Sequence, residues 1–197
     1  MKRLSLVCLA IIFLLGACKN RAKTVIVSAD GKSKVTVDAT QMADKANDMN
    51  EKVDELKKLT PLTLDQLKAL LPEEFMGMKR SNFSANSMMG AAFCSATYKN
   101  DNDEKRLKVN IWDCAGEAGA GIYSMRYYTL WNFQQEDDNG YQKTVDYNGG
   151  KAIEKYSKSN DEYGLTYVAN DRLLVSLEGE KTGLDAVKDA AKNLSLK

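Results

Sequence analysis

Hydrophobic and polar positions alternate in short runs through much of the chain. Residues 106–114 show this clearly, because Leu107, Val109 and Ile111 are separated by polar residues. A period of two residues places the apolar side chains on one face of a β-strand. Similar runs predict further strands at 75–83, 91–98, 141–147, 151–157, 163–169 and 172–178. The pattern therefore predicts an antiparallel sheet of about seven strands, since successive short strands joined by turns pair antiparallel.

One turn also predicts a register. Asn-Gly at 148–149 is typical of a two-residue hairpin turn. Such a turn places Lys143 opposite Glu154, and Tyr141 opposite Tyr156. Opposite charges and paired aromatic rings both favour this register.

Residues 24–60 combine a predicted hairpin with a predicted helix. Two β-branched runs at 24–28 and 34–38 flank a turn. The apolar residues that follow recur at intervals of four and three, which is the spacing of one face of a helix. They are Met42, Ala46, Met49, Val53 and Leu56. This stripe indicates either a helix docked on its own domain or a stalk that contacts a partner.

Three further helices complete the predicted fold. A capping box at 63–66 begins one helix, a glycine-rich entry at 116–131 leads into the second, and residues 182–185 begin the last. We predict an α+β domain over 61–197, with helices packed on the antiparallel sheet. The order and size of these elements resemble the PsbP-like group of α/β/α sandwiches. That group includes extrinsic subunits and cargo-binding proteins, so the resemblance implies a binding or accessory domain.

Residues 1–17 have the parts of an export signal. A basic start precedes an apolar run at 4–15, which is shorter than the roughly 20 residues of an ordinary membrane-spanning helix. The sequence LGAC at 15–18 then resembles the lipobox of bacterial lipoprotein precursors. The resemblance implies cleavage after residue 17 and attachment of fatty acyl chains, such as palmitate, at Cys18. Residues 18–23 then form a lipidated tether.

Acylation of Cys18 implies a lipid-anchored protein of the cell envelope that faces the periplasm. Several acyl chains provide the multiple signals that stable membrane attachment needs. Lys19 follows the cysteine, where aspartate would favour retention at the inner membrane. The resemblance to Gram-negative lipoproteins therefore favours the outer membrane. The expected partners are the membrane itself and an envelope protein or glycan.

Composition narrows the classes of function. The chain has 28 Lys+Arg against 27 Asp+Glu, so it lacks the basic excess of a nucleic-acid binder, and we expect no such partner. It has no histidine, which excludes Ser-His-Asp and Cys-His nucleophile systems and histidine-ligated zinc. We predict no catalytic residue, metal site or cofactor. The alternatives are a structural spacer and a carboxylate- or metal-dependent envelope enzyme, for which Asp113 and Glu117 are the pair to inspect.

Two cysteines remain besides Cys8 in the signal and Cys18. Cys94 and Cys114 form an even pair in a compartment that permits disulfides. A hairpin turn near residues 100–104, however, places Cys94 opposite Ile111, and Cys114 then points to the other face. A disulfide between them needs a bulge or a shifted register. The alternative is one buried thiol and one thiol at a strand end.

Aromatic residues form the candidate binding surface. Tyr123, Tyr127 and Trp131 lie at helical spacing on the predicted middle helix, and Tyr163 and Tyr167 alternate on one strand face. In one interpretation these rings form the aromatic core between helix and sheet. In the other they form a surface for a glycan, a lipid headgroup or a protein partner. We therefore predict a non-catalytic binding or interaction module.

Overall fold

The computed structural model describes residues 23–27, 34–88, 90–102, 104–127 and 133–196. The chain divides into two units between Ala46 and Asn47. At the start, β1 (Lys23–Val27) pairs antiparallel with β2 (Lys34–Asp38), and α1 (Ala39–Lys57) follows directly. The predicted hairpin and helix are therefore both present.

A mixed α+β fold with one large antiparallel sheet forms the second unit. Among the described residues this sheet has nine strands in the order β3-β4-β5-β6-β11-β10-β9-β8-β7. The first meander consists of β3 (Glu74–Phe75), β4 (Met78–Met88), β5 (Ala91–Lys99) and β6 (Arg106–Asp113). The second consists of β7 (Gln134–Asp137), β8 (Gly140–Tyr147), β9 (Gly150–Ser157), β10 (Glu162–Ala169) and β11 (Leu173–Glu180). The two meanders meet where β6 pairs with β11.

The predicted number of about seven strands is wrong by two. The pattern predicts one strand at 75–83, but Met76 and Gly77 adopt left-handed backbone with φ of 53° and 71° and separate β3 from β4. The second strand that the pattern does not predict is β7. All its residues are exposed, and it pairs with β8. Neither short strand shows the apolar alternation on which the prediction depends.

The register predicted from the Asn-Gly turn is confirmed. Residues 148–149 have φ of 48° and 76° and join β8 to β9. Lys143 lies opposite Glu154, and Tyr141 lies opposite Tyr156. Turn chemistry and cross-strand pairing therefore agree at this hairpin.

Helices pack on both faces of the sheet. On the first face lie α2 (Leu64–Ala69) and α4 (Leu184–Asn193), and together with the sheet they enclose the larger core. On the second face lie α3 (Gly116–Tyr127) and the C-terminal half of α1, with a smaller cluster. Fully buried side chains of the larger core include Leu67, Leu71, Val109, Ile111, Leu165, Leu177 and Val187.

The C-terminal half of α1 is docked on the second face. Leu56 is completely buried and packs with Cys114, Ala120 and Leu174, and Val53 packs against the same cluster. Val53 and Leu56, at the C-terminal end of the apolar stripe, therefore form a docking face within the second unit, whereas Met42 and Ala46 belong to the first unit.

Cys94 and Cys114 are free thiols on opposite faces of the sheet. Cys94 lies opposite Ile111, as the turn predicts. The candidate disulfide between the two cysteines is therefore not formed, because alternation along the strands separates them. Burial raises the pKa of each thiol to about 12, so neither is a nucleophile near neutral pH.

Gly119 allows α3 to pack closely against the end of β6. A Cβ atom there would lie 2.5 Å from the carbonyl carbon of Cys114 and 2.6 Å from the carbonyl oxygen of Asp113. We expect Gly119→Ala to lower the free energy of unfolding by about 1–3 kcal/mol, as overpacking at a rigid site does. Urea denaturation measures this change.

Gly121→Ala is the matched control in the same helix. Nothing lies within 4 Å of a Cβ added at Gly121. This substitution should be neutral or should stabilise the protein by up to about 1 kcal/mol, since alanine favours helix. Equal effects at Gly119 and Gly121 would contradict the close approach.

Candidate functional site

The sheet separates the residues predicted to form one binding surface. Tyr123 lies on α3 and packs against the second-face cluster. Tyr163 and Tyr167 lie on the first face. Trp131 and the side chain of Tyr127 lie outside the described residues, as do Cys18 and the predicted signal. The prediction that Tyr123 shares one binding surface with Tyr163 and Tyr167 is therefore wrong.

Tyr167 belongs to the core and not to an exposed surface. Its side chain is 5% exposed, and its hydroxyl donates a hydrogen bond to the carbonyl oxygen of Ala191 at 3.2 Å. Its ring also contacts the ring of Tyr147, with 4.8 Å between the centroids. Since α4 covers this position, Tyr167 stabilises the packing of that helix.

A row of half-exposed tyrosines remains on the first face. Tyr141, Tyr156 and Tyr163 face one another across β8, β9 and β10, and we call them the tyrosine row. The rings of Tyr156 and Tyr163 are stacked, with 4.5 Å between centroids. The rings of Tyr141 and Tyr156 are 6.0 Å apart. Because α4 packs on β10 and β11, it leaves these rings partly open to solvent.

A buried carboxylate lies next to the tyrosine row. Glu154 on β9 is 2% exposed and accepts a hydrogen bond from the hydroxyl of Tyr141 at 3.0 Å. It also forms ion pairs with Lys143 at 3.2 Å and with Lys188 of α4 at 2.8 Å. Burial raises the pKa of Glu154, but hydrogen bonds from Lys188, Tyr141 and Lys143 outweigh it and hold the pKa below its ordinary value. Glu154 is therefore ionised at neutral pH.

Glu154 also keeps Tyr141 protonated. Burial of the phenol, its hydrogen bond to Glu154 and the negative charge of Glu154 raise the pKa of Tyr141 to about 12. Partial desolvation and the charge of Asp161 also raise the pKa of Tyr156. A protonated phenol donates hydrogen bonds but is no base at neutral pH. The row is therefore suited to contacting a ligand and not to transferring protons.

A polar pocket opens at one end of the tyrosine row. Its volume is about 210 Å³, and Tyr141 and Tyr156 are among the residues that line it. The other side chains that line it are amides, a carboxylate and a hydroxyl, namely Gln135, Asp137, Asn139, Gln142 and Ser157. The registers of β7, β8 and β9 pair Gln135 with Gln142 and Tyr141 with Tyr156. Since neighbouring strand residues point to opposite faces, the amides of Gln135 and Gln142 lie on the face of the sheet opposite the tyrosine row.

The sequence contained a signal for part of this site. The predicted pairing of Tyr141 with Tyr156 placed two rings side by side, but it served as evidence for a register and not for a binding surface. Lys188 was missed because its approach to Glu154 depends on the position of α4, which no local pattern fixes. The pocket was missed because β7, which forms one side of it, was not predicted.

Asp113 and Glu117 do not form a catalytic pair. Asp113 is fully buried and accepts hydrogen bonds from Nε and Nη2 of Arg172, at 2.7 and 2.8 Å. Backbone N–H groups of Leu62 and Ala115 donate two more, at 2.7 and 3.1 Å. Glu117 is exposed on the first turn of α3. Both carboxylate oxygens of Asp113 therefore accept hydrogen bonds that stabilise the end of the sheet.

Comparison with known proteins assigns no family. No protein-family model matches the chain, and searches of curated proteins and of solved structures find no match. Within the described residues, no helix has both the length and the apolar character needed to cross a membrane. In the same part of the chain, no three cysteine or carboxylate side chains are grouped so that they could hold a metal ion. A functional argument therefore rests on the site itself.

Glu154→Gln removes the charge that Lys143, Lys188 and Tyr141 share. We expect the free energy of unfolding to fall by about 1–3 kcal/mol near neutral pH, since hydrogen bonds to a charged acceptor are lost. The folded-state pKa of Glu154 lies below its ordinary value of 4.5. The stability that ionised Glu154 contributes is therefore fully present above pH 4.5 and is lost as the pH falls through the folded-state pKa. Urea denaturation should show the difference from the native chain shrinking in acid.

Glu104→Gln is the control for this pH dependence. Glu104 is exposed on the turn between β5 and β6, and a surface substitution should change stability by less than about 0.5 kcal/mol. A destabilisation by Glu154→Gln that stays constant from neutral to acid pH would contradict the lowered pKa.

Proposed function

We propose that this chain is a lipid-anchored interaction module of the bacterial envelope that faces the periplasm and binds an envelope glycan. The observation that carries the binding proposal is the half-exposed tyrosine row on β8, β9 and β10, with its contacting rings. The anchor is supported by the LGAC motif at 15–18 and by the basic and apolar segments before it. The same motif and Lys19 support the outer membrane as the site of attachment.

The chemistry of the site favours a glycan over a protein partner. A sugar ring has an apolar face of C–H groups and a polar edge of hydroxyls. The stacked rings of Tyr156 and Tyr163 are suited to the face, and the phenol hydroxyls of the tyrosine row are suited to the edge. Lys143, whose side chain is 43% exposed, adds attraction for a ligand that carries an acidic group.

The protonation states support binding and not catalysis. Glu154 remains ionised and Tyr141 remains protonated at neutral pH, because each pKa is moved away from neutrality. A general acid or base works best with a pKa near the working pH. The pair is therefore suited to fixing the position of the tyrosine row.

We extend the proposal to the fold family. Helices on both faces of a central antiparallel sheet support the PsbP-like sandwich that the order of elements resembles. Since that group includes cargo-binding proteins, the resemblance favours the same class of function.

Tyr156→Ala removes the middle ring of the tyrosine row. We expect it to weaken binding of soluble peptidoglycan fragments by about tenfold, or about 1.4 kcal/mol, because central aromatic contacts are typical hot spots. Tyr156→Phe keeps the ring and should weaken binding less. Isothermal titration calorimetry with the acylated chain in detergent measures both changes.

Met125→Ala is the control for this measurement. Met125 is 71% exposed and lies on α3, on the opposite face of the sheet. This substitution should leave the affinity unchanged. If the native chain binds no peptidoglycan fragment, or if Tyr156→Ala binds as the native chain does, the glycan proposal is wrong.

Cys18→Ser tests the anchor separately from the binding site. Serine has no thiol for the thioether-linked lipid, so we expect the variant to remain uncleaved and to lack acyl chains. Mass spectrometry of the native chain should show an acylated N-terminus at residue 18. Cys8→Ser is the matched control, since Cys8 lies within the predicted signal, and it should leave processing unchanged. A mature native chain with an unmodified Cys18 would contradict the anchor.

A further inference from the structure

The outer edge of β4 is largely unpaired. On that side β3 pairs only with Met78 and Lys79, whereas β5 pairs along the other side of β4. In the part of the chain that the structure describes, no strand pairs with the outer edge of residues 81–88. Backbone N–H and C=O groups along such an edge are available to another strand.

Residues 82–88 of this edge lack the features that usually prevent strand pairing. Exposed edges are commonly protected by lysine, by proline or by short length. Residues 81–88 contain no charged residue and no proline. The one irregularity in its ladder with β5 lies between Arg80 and Asn82, so residues 82–88 form a regular edge.

The sequence of the edge is nearly symmetrical about Ser84. Residues at equal distances before and after Ser84 are either of the same type or differ in size in a complementary way. The pairs within the regular edge are Phe83 with Ala85 and Asn82 with Asn86. Ser81, which matches Ser87 in sequence, lies at the irregularity between Arg80 and Asn82. If two antiparallel copies pair with their Ser84 residues opposite each other, Asn82 of each copy lies opposite Asn86 of the other, and the ring of Phe83 lies opposite the methyl group of Ala85. No like charges lie opposite each other in this register.

The same register keeps the two faces of the sheet continuous. Residues related about Ser84 have equal parity, so first-face side chains meet first-face side chains. Phe83 and Ala85 are partly buried against the larger core, and each would cover the other across the junction. Asn82, Ser84 and Asn86 are exposed and would meet on the second face.

We propose that two copies of this chain associate through β4, which pairs antiparallel with itself about Ser84 and joins the two sheets into one. The arrangement is a twofold symmetric interface, in which the same surface serves both copies. One strand pair is smaller than a standard interface of about 1,600 Å². The association is therefore weak in dilute solution and is strengthened wherever the copies are held close together. It does not depend on glycan binding.

Disulfide trapping tests the register directly. The full chain carries Ser84→Cys in a background of Cys8→Ser and Cys18→Ser, so the remaining native thiols, Cys94 and Cys114, are buried. Opposed residues of an antiparallel pair have Cα atoms about 4.5–5.5 Å apart, which suits a disulfide. We expect mild oxidation to give covalent dimers about tenfold faster than with Asn82→Cys. In the proposed register, two copies of residue 82 are about 13 Å apart.

The matched variants distinguish this register from random collision. An equimolar mixture of Asn82→Cys and Asn86→Cys chains should form mixed dimers, because these positions lie opposite each other. Equal rates for Ser84→Cys and for Asn82→Cys alone would overturn the proposal. So would the absence of mixed dimers.

Ser84→Lys provides a test without oxidation. It places two ammonium groups opposite each other at the symmetry axis, and like charges at an edge oppose pairing. Analytical ultracentrifugation should show a dimer dissociation constant raised by about tenfold or more, with the thermal midpoint unchanged. Asn160→Lys adds the same charge on the turn between β9 and β10 and should leave the dimer intact. Equal dissociation constants for the native chain and Ser84→Lys would overturn the proposal.

Discussion

The pairing of β6 with β11 is the contact on which the rest of the structure depends. Each meander consists of neighbouring strands joined by turns, but this pair joins the two meanders across a long stretch of sequence. Because the halves meet here, Val175 is buried on the first face and Leu174 on the second. The ion pair between Asp113 and Arg172 secures one end of the contact. Asp113 also accepts a hydrogen bond from Leu62, so the same carboxylate fixes the segment that leads into α2.

Turn residues and hydrophobic alternation predict correctly the parts of the fold that depend on short-range sequence alone. The Asn-Gly turn at 148–149 and the alternation on both sides of it specify one register, and the structure has that register. By contrast, β7 is polar and exposed, so its place in the sheet depends on pairing with β8 and not on its own pattern. The turn at Met76 was missed for a related reason. A left-handed methionine is held by its surroundings and not by its own propensity.

The candidate site shows why aromatic residues are difficult to assign from sequence. Periodicity indicates which side chains share one face of a strand, but it does not indicate which neighbouring element covers that face. Tyr163 and Tyr167 share a face of β10, yet Tyr167 is 5% exposed beneath α4 and Tyr163 is half-exposed. The difference arises from the position of α4, which is set by tertiary packing. The same packing brings Lys188 to Glu154.

Glu154 connects the stability of the fold with the proposed binding surface. Burying a carboxylate is unfavourable unless its partners compensate for the lost water, and here Lys143, Lys188 and Tyr141 do so. Two of these partners lie on β8 and one on α4, so the contacts that dock the helix also hold one end of the tyrosine row. A ligand that withdrew Lys143 would leave Glu154 less well compensated. Favourable binding must therefore use the open ring faces of the tyrosine row while leaving the ion pairs intact.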